Sequence, residues 1–110
     1  MTTNAAWHLL QDVKAARADN GDVFVMPTPE WSVLYTHEEL SELMRALQQQ
    51  RLPEHLRGSA RRYDLQLEWG QVLMMHLTTA LLLDIDVSAG FNQAIELIYE
   101  RSAAKRATLP

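Results

Sequence analysis

Glu38-Glu39-Leu40-Ser41-Glu42 is answered 25 residues later by Glu68-Trp69-Gly70-Gln71. The first stretch reads EExxE and the second ExxQ, each inside a helical pattern. Carboxylates three or four residues apart project from one face of a helix. Two such faces brought level make a cage of hard oxygens, which is what a magnesium ion requires. An amide, Gln71, stands where a fourth carboxylate would complete the set.

The surroundings of both motifs predict helices. Thr28-Pro29-Glu30 is a helix start, with an N-cap hydroxyl, proline at the first helical position and an acid in the first turn. It opens a helix over 29–50, whose Val33, Leu40, Leu43, Met44 and Leu47 share one face. Trp31, Tyr35, Glu38, Glu39 and Glu42 occupy the other. A third helix over 63–83 is apolar nearly all round, with Leu65, Trp69, Val72 and Leu83 on one side and Leu67, Met74, Leu77 and Leu81 on the others. Such a helix is expected to be sandwiched, with Asp64, Glu68 and Gln71 as a narrow polar band that needs partners.

Before these, a short helix over 5–17 carries Leu9, Leu10, Val13 and Ala16. Asn20-Gly21 and Pro27 then mark a loop with an apolar middle, Val23-Phe24-Val25-Met26, expected to lie across the helices. Residues 51–62, with Pro53, Gly58 and four arginines, form a basic connection. Asp84-Ile85-Asp86 breaks the chain, and Asp86 or Ser88 caps a fourth helix over 88–106. Phe91, Ala94, Ile95, Ile98 and Ser102 form its expected inward stripe, and Arg101, Lys105 and Arg106 crowd its C-terminal end, where cations suit the helix dipole.

Composition sets the outer bounds. With 110 residues, 47% apolar, 22% charged and only 4 Gly and 4 Pro, the chain fits one helical domain, 1–110, with a thin core. A net charge of −4 argues against binding a nucleic-acid polymer through its backbone. The absence of cysteine excludes disulfides and thiolate metal sites. No signal-peptide pattern opens the sequence, and the longest uncharged run, Trp69 to Leu83, is 15 residues, short of the roughly 20 that span a bilayer. The expectation is a soluble cytoplasmic protein. Because the third helix is apolar on every side, a homodimer or homotetramer is expected.

An acidic face on an amphipathic helix is commonly no more than a solvated surface. Trp31 and Tyr35 on that face, and Glu68 on the most apolar helix, argue for a shared cation instead. The two aromatics have two readings, stacking on a base or packing in the core or between protomers. Arg57, Arg61 and Arg62 are read as a solvated loop before phosphate ligands. His76 is read as a hydrogen-bonded core histidine, His37 as surface, and His8 and His55 show no ligand spacing.

EExxE followed at this interval by ExxD is the magnesium signature of the all-α NTP pyrophosphohydrolases, and the chain resembles that family: MazG-like proteins, dimeric dUTPases and phosphoribosyl-ATP pyrophosphohydrolases. The likeness continues through the helix beginning at Glu68, the turn Leu83-Asp84-Ile85-Asp86, and a last helix followed by Lys105, Arg106 and Pro110, covering residues 28–110. It implies a four-helix MazG-like bundle that oligomerises through helix packing. It also implies Mg²⁺ held by Glu39, Glu42, Glu68 and Gln71, with Glu38 as ligand or water-orienting base. Trp31, Tyr35, Arg101 and Lys105 are the residues expected to meet a nucleoside triphosphate, cleaved to a monophosphate and pyrophosphate.

Two departures stand out. Gln71 occupies the position the family fills with aspartate, and Ser102 one that many members fill with a substrate-contacting asparagine. Asp64, a turn before Glu68, is a possible substitute ligand. Alternatives to the enzyme are therefore a catalytically silent nucleotide-binding or regulatory protein on the same scaffold, and a helical oligomerisation module.

Overall fold

The structure, a computed structural model, describes residues 3–57 and 64–110. All regular structure there is helical: α1 Thr3–Asp19, α2 Pro29–Gln50, a single 3-10 turn Glu54–Leu56, α3 Leu65–Leu82 and α4 Val87–Ala107. Among the described residues there is no strand, and the apolar stretch 23–26 is loop as expected. Arg61, Arg62 and Tyr63, the last placed by the sequence at the start of the third helix, lie outside the described residues.

Each helix begins and ends for a local reason. Thr28 caps α2 by accepting from the Trp31 amide at 3.3 Å, with Pro29 in the first turn. Arg57 folds back on the end of α2, its Nε donating to Leu52 O at 2.9 Å and its Nη2 to Gln50 O at 3.1 Å. This cation therefore serves as a C-terminal cap of α2. Asp64 is the N-cap of α3, its Oδ1 accepting from the amides of Gln66 and Leu67 at 3.0 and 3.2 Å. That engagement occupies one of its two carboxylate oxygens.

The turn after α3 is a Schellman-type stop, with the Ile85 amide donating to Ala80 O at 2.9 Å. Asp84 sits in the left-handed region there, at φ 52°. Asp86 then caps α4 through the Ala89 amide at 3.0 Å. A side chain at positive φ strains the backbone that glycine would relax. Asp84→Gly is accordingly expected to stabilise the protein by about 0.5–1 kcal/mol, raising the melting temperature by a few degrees in a thermal denaturation series.

The main packing is α2 against α3, with α1 crossing α3 and touching the start of α4. Ser32 Oγ and Thr79 Oγ1 are 2.7 Å apart at the seam, and Ser32 also donates to Met75 O at 3.4 Å. Both Ser32 and Thr78 have no exposed surface. Small residues at the crossing (Ser32, Ala46, Thr79, Ala80) let the two backbones approach closely.

Four expected faces are corrected by this packing. α2 turns Ser32, Thr36, Glu39, Leu43 and Ala46 towards the interior, leaving Val33, Leu40, Met44 and Leu47 exposed. α1 buries Ala6 and Val13, whereas Leu9 and Ala16 are exposed. Trp69 of α3 and Leu83, its C-cap, face outward, and so does His76, which is no core residue. Finally, α4 leaves α3 at 109°, and Phe91, Ile95 and Ile98, its expected inward stripe, are exposed.

The physical reason is common to all. A seam of small and polar residues lets α2 and α3 pack tightly, and the bulky apolar faces are left over. The Cα radius of gyration, 17.8 Å, exceeds the roughly 13 Å of a compact domain this size because α4 projects. Among the described residues no single helix is long and apolar enough to cross a membrane; α3 and α4 qualify only as a bent pair.

Candidate metal centre

α2 and α3 run antiparallel in one register, in which Ser32 meets Thr79, Glu39 meets Gln71 and Glu42 meets Glu68. The two acidic bands therefore come level, as an antiparallel helix pair predicts from their spacing. One carboxylate oxygen from each of Glu39, Glu42 and Glu68 lies within 4.8 Å of the other two. Glu68 is buried at 7% exposure, Glu39 is half-buried and Glu42 is exposed, so the cluster opens outward from α3. Among the described residues no cationic side chain pairs with any of the three.

Gln71 joins the group as a donor. Oriented by its surroundings, its amide nitrogen donates to Glu68 Oε2 at 3.0 Å and to Glu39 Oε2 at 3.3 Å. One amide thus bridges two like charges and relieves part of their repulsion. Turned over, the same side chain presents its oxygen to the centre of the cluster.

The electrostatics are those of crowded carboxylates in a half-dry place. Burial, and then Glu42, raise the Glu39 carboxyl from its ordinary 4.5 to about 7. Burial followed by Glu42 also raises Glu68. Because Glu39 holds its proton more tightly folded than unfolded, this group supports the fold below about pH 4.5 and loses that support as pH rises through about 7. The metal-free protein is therefore expected to melt at a lower temperature at pH 8 than at pH 5. Added Mg²⁺ should reverse the loss at pH 8 and do little at pH 5, where protons compete for the ligands. Melting curves with chelator or Mg²⁺ across this range check both signs.

The donor set fits a hard cation. Magnesium takes oxygen ligands at 2.0–2.1 Å in an octahedron, so adjacent ligand oxygens stand about 2.9 Å apart and opposite ones about 4.2 Å. A group spread over no more than 4.8 Å reaches that by small side-chain rotations.

No protein-family model, curated protein or solved structure matches this chain.

The other expected residues are placed differently. Glu38 is exposed next to Glu39 and bears on it through charge alone. Trp31 and Tyr35 are exposed and pack on each other, with ring centroids 5.9 Å apart. Arg101 and Lys105 are exposed on the projecting part of α4, and among the described residues nothing joins them to the carboxylates. Two contributors went unread in the sequence. Ser32 gave no signal beyond being a small residue on an amphipathic helix. Arg17 offered one: a cation in register with Ala6, Leu10 and Val13 on the inward face of α1.

Proposed function

We propose that the chain is a Mg²⁺-dependent nucleoside triphosphate pyrophosphohydrolase of the MazG-like all-α type. The observation that carries this reading is the convergence of Glu39, Glu42 and Glu68 from two helices around one point, with a buried carboxylate, Glu68, at its base. An uncompensated carboxylate costs several kcal/mol to bury, which a bound cation offsets.

On this reading Glu39, Glu42 and Glu68 hold the ion, and Gln71 rotates to add a neutral oxygen. Magnesium, when bound, supplies charge neutralisation along the phosphates and lowers the pKa of water in the site. Glu38, free of the cluster and exposed, accepts the proton of the attacking water. The water oxygen forms a bond to the α-phosphorus, the α–β bridging bond breaks, and pyrophosphate leaves with that bond's electron pair. No covalent nucleophile is required; positioning and electrostatics carry the rate.

The exposed apolar faces support a homodimer or homotetramer. Leu40 and Met44 of α2 and Phe91, Ile95 and Ile98 of α4 are covered by further copies, which complete the bundle that α4 leaves open. Closure of this kind also brings the basic end of α4, with Arg101 and Lys105, to a triphosphate on a neighbouring protomer.

The Gln71 bridge favours a second reading, a silent member of the same scaffold that binds nucleotide without hydrolysing it. Pyrophosphate release from a panel of NTPs and dNTPs, with and without Mg²⁺, separates the two. The enzyme reading expects Mg²⁺-dependent release from at least one substrate; a folded protein that turns over none of them overturns it.

A further inference from the structure

One helical turn beyond the carboxylates, the α2–α3 pair meets α1 and the 23–27 loop. Tyr35 stands one helical turn before Glu39, and Met75 one turn after Gln71, so each shares a face with its acidic-site neighbour. The step is about 6 Å along the helix axis. At that level lies a cavity of about 300 Å³, lined by Tyr35, Met75, Arg17 of α1, the 23–25 loop and Pro27. The loop's otherwise surprising exposure of Val23, Phe24 and Val25 has a purpose if it forms one wall of a site.

Arg17 is the residue that needs explaining. It is half-buried, its Nε donates to Thr78 Oγ1 at 3.3 Å, and its Nη2 donates to Met75 Sδ at 3.1 Å. A thioether is a weak acceptor, and a hydroxyl brings no charge. Among the described residues no carboxylate pairs with this guanidinium, and Nη1 has no protein acceptor. A tie between α1 and α3 alone would be met more cheaply by leucine or methionine, because a half-buried cation carries a desolvation cost. The fork of donors is held in place by α3 with acceptor capacity still wanted.

We propose that this cavity receives the base of the nucleotide, and that Arg17 selects oxo bases over amino bases. The inference rests on the pyrophosphohydrolase reading, which puts the phosphates at Glu39, Glu42 and Glu68. A pentose spans the single turn between them and the cavity. Tyr35 and Phe24 offer aromatic faces for stacking, which every base satisfies and which therefore selects nothing. Selection falls to the edge. Guanine and hypoxanthine present two adjacent acceptors, O6 and N7, and a guanidinium donates to both. Uracil and thymine present carbonyl oxygens. At the matching position adenine and cytosine carry an exocyclic amino group, so adenine offers the fork N7 alone and cytosine turns N4–H towards it.

The test is the ratio of kcat/KM values for the native full-length protein with Mg²⁺, comparing dGTP, dITP, dUTP and dTTP with dATP and dCTP. The expected result is a preference for the oxo bases of roughly tenfold or more. Arg17→Gln, whose amide offers both a donor and an acceptor, should bring that ratio close to one by lowering turnover of the oxo substrates. Arg17→Lys should recover part of it. Calorimetric titration with the monophosphates dGMP and dAMP should rank them in the same order, independently of turnover. If Arg17→Gln does not fold, the native pattern decides. Turnover with equal or reversed preference overturns this inference and leaves the pyrophosphohydrolase reading intact. Failure to turn over any nucleotide overturns both.

Discussion

Glu68→Gln is expected to abolish hydrolysis, lowering kcat/KM by at least about a hundredfold, while leaving the metal-free protein as stable as the native one or more so. The two effects have one cause. Glu68 is almost wholly buried, and Glu42 and Asp64 add repulsion to the cost of its burial. Glutamine is isosteric, removes that charge, and keeps an oxygen for the Gln71 amide that now bridges Glu68 and Glu39. The same change deletes a ligand charge at the base of the cluster. Thermal denaturation in chelator and pyrophosphate release in Mg²⁺ read the two arms separately. A variant that is destabilised yet active would show that Glu68 serves the fold and not a cation.

The second large effect is a gain. Gln71→Asp is expected to raise Mg²⁺ affinity by about 10–100-fold, the scale on which changes around a metal site act. It should also destabilise the metal-free protein above neutral pH. The native amide donates to two carboxylates at 3.0 and 3.3 Å. Aspartate removes both donors and adds a fourth negative charge beside Glu39, a carboxyl already raised to about 7. In chelator the variant should melt well below the native protein, and with saturating Mg²⁺ the order should reverse. Unchanged affinity would mean that Gln71 is turned away from the ion and that the native donor set is complete without it.

The elements with the strongest local chemistry were legible in the sequence. Thr28-Pro29 placed the start of α2, Asp84-Ile85-Asp86 placed the break before α4, and the spacing of Glu38–Glu42 and Glu68–Gln71 placed the acids on facing helices. The choice of which faces pack was not legible. Periodicity marks the bulky apolar side of α2, but the close approach of α2 and α3 is made by Ser32, Ala46 and Thr79, residues that carry little hydrophobic signal. The same logic misplaced the α4 stripe and His76. An apolar face reads as inward whether its partner is the same chain or another one. Arg17 illustrates a further limit: a cation in an apolar stripe is visible, but its uncompensated charge depends on what α3 and the loop put around it.

The central claim is that Glu39, Glu42 and Glu68 hold one divalent cation in common. Titration of the native protein with Mn²⁺ at about pH 8, followed by electron paramagnetic resonance with Mg²⁺ as competitor, addresses it directly. The account predicts a saturable Mn²⁺ site that Mg²⁺ displaces, that weakens as pH falls below about 7, and that is lost in both Glu39→Gln and Glu68→Gln. Free Mn²⁺ signal throughout the titration, or a site that survives both substitutions, would contradict it.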